Sequence, residues 1–519
     1  MIAKHVRECA NTLRISLLFA GLILATAPPV SALQAPDAAT AIVGATVIDG
    51  NGGVPLANAT IVIERGRITQ IGPQAEVQVP RGSTVINAAG KHVTPGFVDT
   101  NVHMSLSFGS RWRETNARYW DRNADLNLQA AQLHLKHGIT TVRDSYGALL
   151  PGMQVRDAIE RGEVVGPRMY VAGNIVGWGG PFSETFSGDS ESGLTLFEEQ
   201  MNDSITLGSG EELLHMMPEE LRVAINAYLD LGPNFIKYGG THHFNYPTPI
   251  SFSPRAQRII VEETQKRGLV AETHSTTPEG LRLSILAGVD LIQHPEVVAM
   301  REISDELVNL IVDRGIICSL LPNKYTGAIW EKHLEEREKA MERWSKLEQE
   351  RAAPLTLAEV RRKVQETGVK DPRTLTIGNL EMRQMNARKL IEAGCIVSVG
   401  PDNVLFGTGG VAPEFMRERS PVAEHLEPGI GTIIAIEGLV ELGMTPSEAI
   451  VAATKHGAMA CKALDDFGTL EVGKLADILI FAADPLADIS NIRKLEVVMK
   501  EGQTIDIGSL PTNPVTDSW

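Results

Sequence analysis

Cysteine is scarce in this chain. Four occur in 519 residues, Cys9, Cys318, Cys395 and Cys461, and no two form a C-x-x-C pair. Such spacing argues against a disulfide framework and leaves buried apolar thiols. Positive charge is also short. The net charge is −16, so the basic face that phosphate binding needs is missing, and nucleic acid is excluded as a partner. No G-x-G-x-x-G follows a strand-like run, which leaves a dinucleotide-binding fold without support. Beyond the N-terminus no segment is long and apolar enough to span a bilayer. What remains is ordinary for a soluble enzyme: 43% hydrophobic and 22% charged residues, in a chain long enough for one large domain and a smaller one.

The N-terminus carries its own signal. Lys4, Arg7 and Arg14 precede an apolar run from Ile15 to Ala27, Pro28 and Pro29 break it, and Val30-Ser31-Ala32 offers small residues for cleavage. This is the pattern of a secretory signal peptide over residues 1–32. It predicts an exported protein, periplasmic or secreted, with no stable membrane insertion once the signal is removed.

Residues 40–92 read as short strands punctuated by Gly and Asn, and residues 465–512 have the same texture. The two ends predict one small β-sandwich domain assembled from both termini. Between them, over 93–464, strand-like runs alternate with amphipathic helical ones. The runs are "GFVDTNVH", "ITTVRDS", "RMYVAGN", "NFIKYGG", "LVAETHS", "DLIQHPE", "IICSLLP" and "CIVSVGPD". Eight such units predict an α/β fold, a (β/α)8 TIM barrel, with a doubly wound open sheet as the competing architecture. Insertions at 177–210 and 324–385 both follow strand ends on the active-site side. They fit substrate lids or oligomer contacts, or plain solvated helices.

The first barrel strand ends in Asp99, Asn101 and His103 at alternate positions, which predicts that the three share a face. Other strand ends supply Lys237, His274, His294 and Asp402. Each alone is weak evidence. Together, at the same point of successive units, they predict one pocket at the barrel mouth. Imidazole and carboxylate suit zinc and related divalent ions. A buried lysine can lose its proton, and as a carbamate it would bridge two metals.

With these motifs the sequence resembles the metal-dependent amidohydrolase superfamily, in its imidazolonepropionase-like and Xaa-Pro dipeptidase-like branch. The resemblance runs through "TPGFVDTNVH", "GITTVRDSYG", "IKYGG", "ETHS", "GVDLIQH", "SVGPDN" and the tail from "GMTPSEAIVAATKHG" to "LADI". It implies one or two divalent ions, chiefly Zn²⁺, and N6-carboxylysine at Lys237 as their bridge. His103 would hold the more buried ion, and His274 and His294 the second. Asp402 would be both a ligand and the catalytic acceptor of the attacking water's proton. The expected activity is hydrolysis of an amide bond, peptide-like or N-acyl, in a small molecule. Lactone, cyclic amide or carbamate hydrolysis is the alternative within enzymes, and a non-catalytic binding protein the alternative outside them. Barrels of this type often form homo-oligomers.

One position departs from the pattern. The superfamily's Asp-x-His-x-His is here Asp99-x-Asn101-x-His103, and an amide oxygen is a weaker donor than imidazole. Asn101 as a weak ligand, Asn101 bonded only to a metal-held water, and a degenerate site all stay open. Arg143, Tyr238, His242 and His243 are further candidates for touching substrate, and Asp99 is expected to support the ligands from behind.

Overall fold

The computed structural model describes residues 38–107, 112–187, 193–243, 248–298, 301–349, 380–406 and 427–515, with positions 356, 358–359 and 362. The expected signal peptide lies outside the described residues, as do 188–192 in the first insertion and most of 350–379 in the second.

The chain opens with five strands, β1 (Thr40–Val47), β2 (Leu56–Glu64), β3 (Arg67–Pro73), β4 (Thr84–Asn87) and β5 (His92–Pro95). Nine more follow through the middle: β6 (Phe97–Ser107), β7 (Ile139–Asp144), β8 (Arg168–Val171), β9 (Phe235–Gly239), β10 (Val270–His274), β11 (Leu291–Gln293), β12 (Ile317–Leu320), β13 (Ile396–Val399) and β14 (Asn403–Phe406). The chain closes with β15 (Ile478–Phe481), β16 (Leu495–Lys500) and β17 (Gln503–Ile505).

The strands from the two ends join in one sheet of order β17-β16-β15-β5-β1-β2-β3, with β4 paired to β1. Its core is Ile42, Val47, Ile61, Ile63, Val93, Ile478, Ile480 and Met499. These come from both ends of the chain, so neither end covers this core alone.

The middle strands are all parallel and run in two arcs, β14-β6-β7-β8 and β13-β12-β11-β10-β9. Among the described residues no ladder runs continuously round them, and isolated backbone bonds bridge the seams. Asn234 N–H donates to Val171 O at 2.8 Å and Val176 N–H to Lys237 O at 2.8 Å on one side, and Asp402 N–H to Asn101 O at 2.9 Å on the other. Local chemistry starts the helices between strands. Ser253, Thr277 and Ser304 each cap a helix by accepting the N–H three residues on, and Pro254 and Pro278 sit where no N–H is needed.

The first residues of successive strands, Phe235, Val270, Leu291 and Ile317, cluster with Ala172 and with Ala460 of the helix Lys455–Ala460. They fill the base of the barrel, each contributing about 1.5–3 kcal/mol on burial. The next layer is polar. Arg143 pairs with Glu272, both fully buried. Gln293 Nε2 donates to Glu272 Oε1 at 2.9 Å and to Thr100 O at 3.1 Å, and Thr100 Oγ1 bonds Ser319 and Ser398. Gly400 is required beside this layer, because a Cβ there would lie 1.9 Å from Ser319 Oγ. Of this layer's side chains only Arg143 Nε and Gln293 Oε1 lack a partner among the described residues, and the network ties together the strands whose ends lie above it.

Candidate active site

The strand ends above the polar layer bring the predicted residues together as two pairs. On one side His274 ends β10 and His294 follows β11. Their Nδ1 and Nε2 atoms face each other at 3.0 Å. On the other side, His103 Nε2 meets Asp402 Oδ1 at 2.8 Å, and Asn101 Nδ2 donates to the same oxygen at 3.1 Å. Lys237, buried, donates to Ser145 Oγ at 3.3 Å. Ser145 Oγ in turn donates to Asn101 Oδ1. A continuous line of hydrogen bonds therefore runs from Lys237 through Ser145 and Asn101 to Asp402.

Two of these residues hold strained backbone. His294 has φ of 39° and Asp402 of 61°, in the left-handed region where side chains other than Gly cost on the order of 1–2 kcal/mol. Backbone bonds hold both in place: His294 N–H to Ser319 O at 2.7 Å, and Asp402 N–H to Asn101 O.

The electrostatics differ between the pairs. Burial pushes His274 and His294 well below the usual imidazole range, so both rings are neutral and keep a lone pair. Burial also lowers His103, against the pull of Asp402, and lowers Lys237. Burial works to raise Asp402, but Lys324 and His103 outweigh it and hold the carboxyl well below its usual range. Lys324 Nζ donates to Asp402 Oδ2 at 2.6 Å.

Lys324 and Ser145 were not among the residues singled out from the sequence. Lys324 lies in the short 3-10 turn Pro322–Lys324 just after β12. Its signal was the one that picked out the others, a polar residue just past a strand's C-terminal end.

An aromatic wall lines the His274 side. Trp178 stands edge-on to His274 at 4.8 Å between ring centres, and Phe186 stacks on His243 at 5.0 Å. His243 in turn faces His274 at 5.2 Å, so it belongs to the site's surroundings. His242 sits near Glu211 and Glu184 instead.

Three expectations are corrected. Arg143 does not reach substrate. It lies one layer below the pocket, bonded to Glu272 and to Ala460 O at 2.6 Å, with its guanidinium 3.9 Å from the Phe235 ring centre. Tyr238 points away from the pocket, because it neighbours Lys237 on a strand and alternation turns it outward. Its hydroxyl donates to Gln257 Oε1 at 3.0 Å. Asp99 does not share a face with Asn101 and His103. The pairing of β6 with β7 slips between Asp99 and Val102, a bulge that breaks the two-residue period. Asp99 accepts from Thr432 Oγ1 at 2.6 Å and from Asn101 N–H at 3.1 Å, and burial raises its carboxyl to about 8.

The two pairs stand apart: among the described residues no three His, Cys, Asp or Glu side chains close round one point. The donor set nonetheless suits a divalent ion. Neighbouring ligands at about 2.0 Å from a tetrahedral ion lie about 3.3 Å apart, close to the His274–His294 separation. The opposite nitrogen of each ring, His103 Nδ1, His274 Nε2 and His294 Nδ1, is buried with no hydrogen-bond partner among the described residues and takes no part in that separation. Asn101 fits less well, because its amide oxygen already accepts Ser145. The Asp402 carboxylate fixes that orientation, since the reverse would set oxygen against oxygen.

A parallel barrel with histidine, aspartate and lysine at its strand ends defines a class of hydrolases. Residues 92–505 match the Amidohydrolase family, and the chain belongs to that family. It resembles the solved structure of molinate hydrolase, with a TM-score of 0.77 and 29% identity over 94% of this chain and 98% of that one. Phenylurea hydrolase B gives a TM-score of 0.77 and 27% identity, over 93% and 100%. The ochratoxinase of Aspergillus niger is 23% identical, over 91% of this chain and 87% of its own length. The chain is a hydrolase acting on carbon–nitrogen bonds, in a family that generally uses divalent metals.

Proposed function

We propose that this protein is an exported, metal-dependent hydrolase of small-molecule amides, cleaving a peptide-like, N-acyl or aryl amide bond. The observation that carries the reading is the facing of two neutral imidazole nitrogens, His274 Nδ1 and His294 Nε2, at 3.0 Å, opposite a carboxylate held ionised. His274, His294, His103 and Asp402 would hold Zn²⁺ or a similar ion. Lys237, whose charged form burial disfavours, is the amine that would take up CO₂ as a carbamate. When bound, such an ion supplies hydroxide near neutral pH and positive charge toward the carbonyl oxygen.

The chain's own residues do the rest. Asp402 takes the proton of the attacking water and returns it to the leaving nitrogen. Asn101 and Lys324 keep Asp402 in place and ionised. The wall of Trp178, Phe186 and His243 gives the pocket an apolar side. That wall and the phenylurea hydrolase likeness support an aryl or otherwise apolar group next to the scissile bond.

The test is metal analysis joined to a screen of dipeptides, N-acylated amino acids and phenylureas. The expected result is turnover lost to a chelator and restored by Zn²⁺ or Mn²⁺. Purification without stoichiometric metal and without turnover would favour a binding protein on this fold. Export rests on residues 1–32 and is tested by N-terminal sequencing of the mature protein, with Leu33 as the expected first residue.

A further inference from the structure

Tyr228, Tyr238 and Tyr325 are buried, and each hydroxyl has an acceptor. They donate to Ala172 O at 2.8 Å, to Gln257 Oε1 at 3.0 Å and to Glu296 Oε1 at 2.8 Å respectively. Tyr146 is as deeply buried, yet its hydroxyl has no partner among the described residues. A buried hydroxyl left unsatisfied costs about 1–3 kcal/mol, and each such group calls for an explanation.

Its position supplies one. Tyr146 directly follows Ser145, the residue that links Lys237 to Asn101. Its ring is edge-on to His103 at 6.1 Å and edge-on to Trp178 at 6.3 Å. Trp178 is itself edge-on to His274. Tyr146 therefore borders the His103 side directly and reaches the His274 side through Trp178.

We propose that Tyr146 is a catalytic residue whose Oη–H donates to the carbonyl oxygen of the scissile amide. The proposal rests on the amide-hydrolase reading above. In the reaction, the water oxygen bonds to the carbonyl carbon, the water's proton passes to Asp402, and the C=O π pair moves onto the oxygen held by Tyr146. Collapse re-forms the C=O bond, breaks the C–N bond and delivers the proton from Asp402 to the departing nitrogen. Tyr146 keeps its own proton throughout. A donor aimed at an oxygen that gains charge acts mainly on kcat.

Tyr146→Phe removes one oxygen and leaves the ring contacts in place. The substrate is whichever N-acetylated amino acid, dipeptide or phenylurea the wild type hydrolyses fastest. On it, kcat is expected to fall about 100-fold with KM nearly unchanged. The melting temperature is expected to match or exceed that of the wild type, because no unpaired hydroxyl remains buried. An unchanged kcat, or a loss carried wholly by KM, overturns the proposal and leaves amide hydrolysis standing. So does a lower melting temperature, which would show that the hydroxyl serves the fold. A wild type that hydrolyses none of the three removes the amide reading and the proposal with it, a result distinct from the others.

Discussion

The two sides of the pocket solve the problem of buried polar groups differently. On the His274–His294 side the rings are neutral, His274 leans against Trp178 and His243, and one nitrogen of each ring is buried without a partner among the described residues. On the His103–Asp402 side the groups converge on one carboxylate, and only His103 Nδ1 is left without a partner among the described residues. Asp402 takes bonds from Asn101, His103 and Lys324, and a lysine ammonium already balances its charge. Under the proposed function the first side would contribute neutral nitrogen donors to a metal ion, whereas on the second Lys324 already sits against the Asp402 carboxylate. The substitution of Asn for His at position 101 fits this contrast, because an amide can bridge Ser145 and Asp402 by accepting from one and donating to the other.

The most drastic way to break the comparison is Asp402→Ala. It removes the group on which the second side converges, and turnover should fall at least about 1,000-fold in steady-state assays. His274→Ala tests the first side. Bound metal, measured by elemental analysis, should drop sharply, whereas Asn101→His should raise it without changing the circular dichroism spectrum. Equal metal loss in His274→Ala and Asn101→Ala would erase the distinction between the sides.

Lys324→Met sharpens it. Without the ammonium the Asp402 carboxyl moves up from its depressed range, so the acidic limb of the kcat/KM profile should shift to higher pH. Activity at pH 5 should fall about tenfold, more than at pH 8. Tyr238→Phe should have the smallest effect. It removes an outward hydrogen bond and should cost about 1 kcal/mol of stability in denaturant titration, with turnover within about twofold of wild type.

Much of this arrangement was legible in the sequence. The strands were short and each ended in a polar residue, so the eight-unit alternation and the convergence of His103, Lys237, His274, His294 and Asp402 on one end could be read from order and spacing. What could not be read depended on register. Asp99 turns outward because β6 is bulged, and nothing in "FVDTNVH" marks the extra residue. Arg143 belongs one layer down, and only its ion pair with Glu272, on a strand it does not neighbour, shows that. Lys324 was hidden by its neighbours, since it precedes a charged helix, Gly327–Gln349, and reads as that helix's beginning. Tyr238 was a different kind of miss. Strand alternation beside Lys237 already pointed it away.

The shared sheet carries a consequence for synthesis. β5 lies between β1, made early, and β15, made near the end of translation. The ribosome must finish almost the whole chain before that central strand acquires its second neighbour. Until then Val93 and Thr94 present an open hydrogen-bonding rim, so a protein shortened before Ile478 would emerge with a sticky seam. A tag or fusion at the C-terminus is better borne than a truncation that removes β15.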